Sequence, residues 1–158
     1  MSLIKGISHA GFWVKDLDRA LDFYCGKLGG KEAFNLLNED GSIWIQYIEI
    51  APRQFIELFP DPNTGQATDV KLHEDQSFFH IALEVEDLDS TITQLNAKGI
   101  LVYDGPDDAH AGKNPIDHAG IAKCNSKTAW IVDADGNNIE FMEFRPDSLH
   151  LNFEGHAE

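Results

Sequence analysis

Two histidines and two glutamates, each in a strand-like run, are the residues of this chain best suited to chemistry. His9 stands in Ser8-His9-Ala10-Gly11-Phe12-Trp13-Val14-Lys15-Asp16-Leu17-Asp18, and His80 in Phe79-His80-Ile81-Ala82-Leu83-Glu84-Val85-Glu86-Asp87-Leu88-Asp89. Laid over each other at an offset of 71 positions (80 − 9), the runs put His on His, Val14 on Val85, and Asp-Leu-Asp on Asp-Leu-Asp. Each half then ends on a glutamate between apolar neighbours: Glu57 in Phe55-Ile56-Glu57-Leu58-Phe59 and Glu140 in Asn138-Ile139-Glu140-Phe141-Met142. A carboxylate facing a core unpaired is costly, and strand alternation can turn any single one to solvent. A His and a Glu at matching places in two copies are not what packing a core requires. Imidazole and carboxylate in a two-plus-two set suit a divalent first-row metal with positions left open for water or substrate.

Other candidates carry less. His73, His150 and His156 lie in polar or terminal stretches and read as solvated, whereas His110 and His118 sit on a long loop from which they could reach a ligand. Glu143 has the opposite strand parity from Glu140, and Glu49, Glu84 and Glu86 read as surface. Cys25 reads as packing. A Gly-rich phosphate loop, a Gly-x-Ser-x-Gly elbow and aromatic-basic interleaving are all absent from the sequence, which removes nucleotide-dependent and serine-hydrolase chemistry.

The elements that must position these residues are short. Residues 4–14 alternate as a strand, with Ile7, His9, Gly11 and Trp13 on one face and Ser8, Ala10, Phe12 and Val14 on the other. Asp16 or Asp18 can cap a helix carrying the stripe Leu17, Leu21, Tyr24 and Leu28, which Gly29-Gly30 ends. Strands are expected at 31–37, 42–50 and 54–59, with a hairpin turn at Asp40-Gly41. The second half repeats the order. A helix bears Leu88, Ile92 and Leu95, Ile100–Tyr103 reads as the next strand, a polar loop spans 104–127, and a hairpin over 128–144 closes at Asp135-Gly136-Asn137. The expected organisation is a first βαβββ module at 1–60, a linker at 61–76, a second module at 77–145 and a tail at 146–158. The fold class is α+β, two tandem modules forming a curved mixed sheet around a metal cleft.

A length of 158 residues allows one domain or two small modules sharing a core. The net charge of −15 opposes binding to nucleic acid or an anionic membrane. Two cysteines in unrelated contexts make neither a disulfide framework nor a thiolate zinc site, and point to a reducing compartment. With no signal-peptide core or membrane-length apolar run in the sequence, the expectation is a soluble cytoplasmic protein.

At these residues the chain resembles the vicinal oxygen chelate superfamily, and within it glyoxalase I (lactoylglutathione lyase). The resemblance spans residues 4–144 and rests on His9 with the Val-x-Asp-Leu-Asp helix start and Phe23-Tyr24, on Ile56-Glu57-Leu58, on His80-Ile81-Ala82-Leu83, and on Asp133 to Glu140. It implies that His9, Glu57, His80 and Glu140 hold one divalent ion (nickel, cobalt, zinc, manganese or iron), within one chain or across a homodimer. The implied reaction isomerises the hemithioacetal of a 2-oxoaldehyde such as methylglyoxal and a thiol such as glutathione. An enediolate is stabilised by the metal as a Lewis acid, and Glu140 or Glu57 moves the proton. The chain departs from the pattern at Trp13, where glyoxalase I carries an arginine for a glutathione carboxylate, which points toward a neutral or aromatic substrate. Trp13, Trp44 and Trp130 are expected to line the substrate cleft. The superfamily's dioxygenases, epimerases and fosfomycin-type thiol transferases are alternatives. So is a binding protein of the bleomycin-resistance kind, against which the complete ligand set speaks.

Overall fold

The computed structural model describes residues 7–61 and 78–152, and the chain divides into two compact units, Met1–Asp75 and Gln76–Glu158. The expected linker beyond Asp61, together with His73 and His156, lies outside the described residues. Unit 1 contains β1 (His9–Val14), α1 (Leu17–Leu21), β2 (Lys31–Leu37), β3 (Ile43–Ala51) and β4 (Gln54–Pro60). Unit 2 contains β5 (Ile81–Glu84), α2 (Leu88–Ala97), α3 (Pro106–Ala111), β6 (Gly120–Ile121), β7 (Lys127–Val132) and β8 (Asn138–Glu143). Each folds as a four-stranded mixed sheet, in the orders β1-β4-β3-β2 and β5-β8-β7-β6. In both, the first strand runs parallel to the last and the remaining pairs are antiparallel. The α+β class and the βαβββ order thus hold in each unit, with α3 as an addition in the second.

The repeated Asp-Leu-Asp has a physical role in both copies. Asp16 caps α1 by accepting from the Arg19 amide at 3.0 Å, and Asp87 caps α2 by accepting from the Ser90 amide at 2.9 Å. Both caps have the extended backbone that the start of a helix requires (φ −139° and −140°). Alternation along β1 then sorts its residues. Phe12 and Val14 are buried with Ile48, Ile56 and Leu58 on the face that also buries Ala20, Phe23 and Tyr24, while His9, Gly11 and Trp13 remain on the exposed face. Each such aliphatic side chain contributes about 1.5–3 kcal/mol on burial. Beyond α1 the helix continues as a π-helical turn over Asp22–Lys27, which brings the sequence neighbours Phe23 and Tyr24 into the core together. Gly30 then passes so close to β3 that an added Cβ would lie 2.8 Å from Ile48 Cγ2 and 2.9 Å from the Tyr24 carbonyl oxygen. Only glycine fits there.

In unit 2, Leu88, Ile92 and Leu95 are buried on one stripe of α2. Glu143, on the opposite parity from Glu140, accepts from the Leu88 amide at 2.8 Å and from Lys127 at 3.2 Å. Lys127 also reaches Asp89 at 3.0 Å, and Asp89 accepts from the Ala119 amide, so one lysine ties the start of α2 to two strands and the segment before β6.

Two expectations need correction. Ile100–Tyr103 is not a strand; only Tyr103 makes isolated bridges, to Trp130 and Pro115. The segment 104–127 is not one loop, since it holds α3 and β6. The helix signals were present but spaced too tightly for a periodicity: Pro106 at the first turn, Asp107 and Asp108 beside it, and Gly112 with φ 63° past the end. The start of the tail is also structured. Ser148 is fully buried and the Leu149 amide donates to the Cys124 carbonyl at 2.9 Å.

Candidate metal centre

The first-to-last parallel pairing sets the site geometry in each unit. Opposite Glu57 on β4 stands Gly11, two residues beyond His9, and opposite Glu140 on β8 stands Ala82, two residues beyond His80. Alternation therefore returns each histidine to the same face as the glutamate of the neighbouring strand. His9 Nε2 lies 3.3 Å from Glu57 Oε2, and His80 Nε2 lies 3.2 Å from Glu140 Oε2. The carboxylates are largely sheltered (9% and 12% side-chain exposure), whereas the imidazoles are open at 44% and 31%. Among the described residues of either unit, no group of three or more His, Cys, Asp or Glu side chains forms, so each unit supplies one imidazole–carboxylate pair.

The surroundings of the pairs differ. Tyr47 stands opposite Glu57 on β3 and donates its hydroxyl to that carboxylate. This bond, followed by burial and the carboxylate's charge, raises the phenol's pKa. The Tyr47 ring stacks on Phe34 at 4.2 Å and meets His9 edge-on at 6.3 Å. In unit 2 the equivalent place opposite Glu140 belongs to Trp130, which meets His80 edge-on at 4.9 Å. Burial raises the Glu140 pKa, and the nearby imidazoles of His80 and then His150 oppose that rise. Behind His80, His110 Nε2 lies 2.8 Å from Asn138 Oδ1, and Asn138 Nδ2 donates at 3.0 Å to the carbonyl of Phe79. His80 Nδ1 is buried without a hydrogen-bond partner.

The donor chemistry fits a divalent ion. Donors bonded to one ion at about 2.0–2.2 Å stand about 3.0–3.4 Å from each other, which is the Nε2–Oε2 spacing seen in both pairs. Gly11 leaves space beside Glu57, since a Cβ there would lie 3.4 Å from Oε2 and 3.2 Å from Phe59 Cε2.

A profile of the glyoxalase/bleomycin resistance protein/dioxygenase superfamily matches residues 6–141. The chain belongs to this superfamily. Within it, the chain is 30% identical over 142 residues to a protein named probable lactoylglutathione lyase from Synechocystis sp., covering 85% of this chain and 92% of that one. It is 24% identical over 116 residues to a 2-epi-5-epi-valiolone epimerase from Actinomyces sp., where the match covers 64% of this chain and only 63% of the epimerase. A glyoxalase family protein from Enterococcus faecalis has the same fold, with a TM-score of 0.69 at 19% identity over 90% of this chain and all of that one.

The tryptophans are placed unequally. Trp13 shares the His9 face of β1, is 58% exposed and tilts against Phe59 at 5.1 Å. Trp44 is half exposed at the register irregularity between β2 and β3. Trp130 is buried with Tyr103 and Ala109 beneath α3 and meets His80 edge-on. His118 is exposed beside Asp89 at 3.8 Å. His150 stacks on Phe144 at 4.8 Å, close enough to act on Glu140, which its position in the tail did not reveal. Sequence reasoning also passed over Tyr47. The signal was available: the 83-position offset between Glu57 and Glu140 also sets Tyr47 on Trp130 (130 − 47).

Proposed function

We propose that this chain is a metal-dependent lyase of the glyoxalase I type, isomerising the hemithioacetal of a 2-oxoaldehyde and a thiol to a 2-hydroxyacyl thioester. The observation that carries the reading is the duplicated His–Glu pair at ligand spacing. The lyase relative, aligned over most of both chains, supports it. His9, Glu57, His80 and Glu140, from the modules at 1–60 and 77–145, would be the ligands of a nickel, cobalt, zinc, manganese or iron ion, within one chain or across a homodimer. A divalent ion so held supplies Lewis acidity to neighbouring substrate oxygens.

The chain's own residues supply proton movement and shelter. The reaction takes a proton from the hemithioacetal carbon and returns it to the adjacent carbonyl carbon, while the hydroxyl proton passes to the neighbouring oxygen, so that no atom is gained or lost. A carboxylate serves as the carrier, accepting the proton and giving it back. Glu140 and Glu57 are the candidates, and burial already favours the protonated form of Glu140. Trp13 and Phe59 offer an aromatic surface on the His9 face, suited to an apolar part of the thiol. The two free cysteines and the chain's acidity accord with a small-molecule enzyme of the cytoplasm.

The test is lactoylglutathione formation from methylglyoxal and glutathione, with protein loaded in turn with each of the five metals. Turnover well above the metal-free control is the expected result. No turnover by protein shown to carry metal would remove this reaction. The epimerase relative makes epimerisation of a polyhydroxylated cyclic ketone the second reading, tested by proton exchange next to the carbonyl of such a ketone.

A further inference from the structure

The two His–Glu pairs share a strand pairing but not the residue facing the carboxylate. The strand register puts Tyr47 opposite Glu57 and Trp130 opposite Glu140. The Tyr47 ring has little freedom, stacked on Phe34 with 20° between the planes and held edge-on by Phe55 at 6.4 Å and His9 at 6.3 Å. The strand register sets this clamped ring opposite Glu57, and its hydroxyl bonds to that carboxylate. Glu57 itself shows only 7% exposure, although its strand neighbours Ile56 and Leu58 turn to the opposite, fully buried face. Two groups then hold it, the Tyr47 hydroxyl and the His9 imidazole. Trp130 does not play that part for Glu140, because its indole is turned to the His80 ring and to the cluster beneath α3.

We propose that Tyr47 is a positioning residue of the metal centre, its clamped hydroxyl fixing the Glu57 carboxylate in the orientation that leaves an oxygen free for the ion. The inference rests on the metal-binding reading above. Residues that orient a ligand from behind change metal affinity by about 10–100-fold when removed, although they never touch the ion. Phe at position 47 keeps the stack on Phe34 and the edge contacts with Phe55 and His9, and removes only the hydroxyl.

The experiment measures nickel(II) binding to the full chain by competition with a chelating dye, for the unmodified protein, Tyr47→Phe, Glu57→Gln and the double variant. Thermal unfolding of each metal-free protein is followed in parallel. The expected result is nickel affinity about tenfold or more weaker in Tyr47→Phe, with the metal-free protein still unfolding in one transition and destabilised no more than Glu57→Gln. In the Glu57→Gln background the same substitution should change affinity less than about twofold, because a group acting through Glu57 has nothing left to act on. Unaltered nickel affinity in Tyr47→Phe overturns the proposal, as does a loss that persists in full once Glu57 is gone. Failure of the unmodified chain to bind nickel overturns this proposal and the metal reading together. Binding with the predicted coupling but no lactoylglutathione formation overturns the lyase reading alone.

Discussion

Units 1 and 2 build the same imidazole–carboxylate pair on the same strand pairing, yet surround it differently. Both caps, both parallel first-to-last pairings and both Nε2–Oε2 distances (3.3 and 3.2 Å) agree closely. Around Glu57 the neighbours are half-exposed aromatics and a phenol that donates to it. Around Glu140 they are a buried indole and a covering helix, so desolvation is the first influence on that carboxylate. The difference teaches that backbone register, repeated by an eleven-residue motif, places the donors. The inserted segment and a single residue on the third strand of each module then decide how tightly each carboxylate is held.

The largest expected effects come from removing each carboxylate in turn. Glu57→Gln and Glu140→Gln should each lower metal-dependent turnover by about 100-fold or more. In metal-free protein they should part company. Glu57→Gln loses charge-assisted bonds from Tyr47 and His9 and destabilises by about 1 kcal/mol. Glu140→Gln loses only the His80 contact and removes a carboxylate whose charge burial disfavours, so it destabilises less. Urea unfolding of both variants checks the contrast, and equal destabilisation would break the comparison.

Gly11→Val sharpens it from the other side, because the new side chain enters the space beside Glu57 and Phe59. Nickel affinity should fall about tenfold or more. The matching Ala82→Val in unit 2 should weaken it less, since a Cβ is already accommodated opposite Glu140. Competition titration reads both.

A third contrast concerns how α2 is fastened. The Ala119 amide and then Lys127 hold the Asp89 carboxyl below its ordinary value. Its folded-state pKa is depressed, so its contribution to stability is present above the unfolded-state value and is lost as pH falls through the folded one, below about pH 4. Lys127→Met should destabilise unit 2 by about 1–2 kcal/mol and flatten the acid limb of the stability curve, as followed by pH-dependent unfolding. Asp18, at the matching place in unit 1, is exposed. The smallest effects should be those of the caps: Asp16→Ala and Asp87→Ala each cost about 1 kcal/mol, and near-equal values in thermal unfolding would confirm that the two helix starts are built alike.

What the sequence determined by itself was everything that depends on local rules. Alternation and the duplicated His-to-Asp motif were enough to put a histidine on the first strand and a glutamate on the last strand of each module, and the opposite parity of Glu143 sends it to α2. The βαβββ order was legible for the same reason, since strand period, caps and turn glycines act over a few residues. Tertiary structure alone decided what lies across the sheet and above it. Tyr47 meets Glu57 only because β3 and β4 pair in one register out of several that alternation permits. Trp130 became a buried platform because α3, too short to announce itself by periodicity, folded over it. Parity chooses a face of a strand, but the neighbour that a side chain finds there is set by long-range packing, which no local window contains.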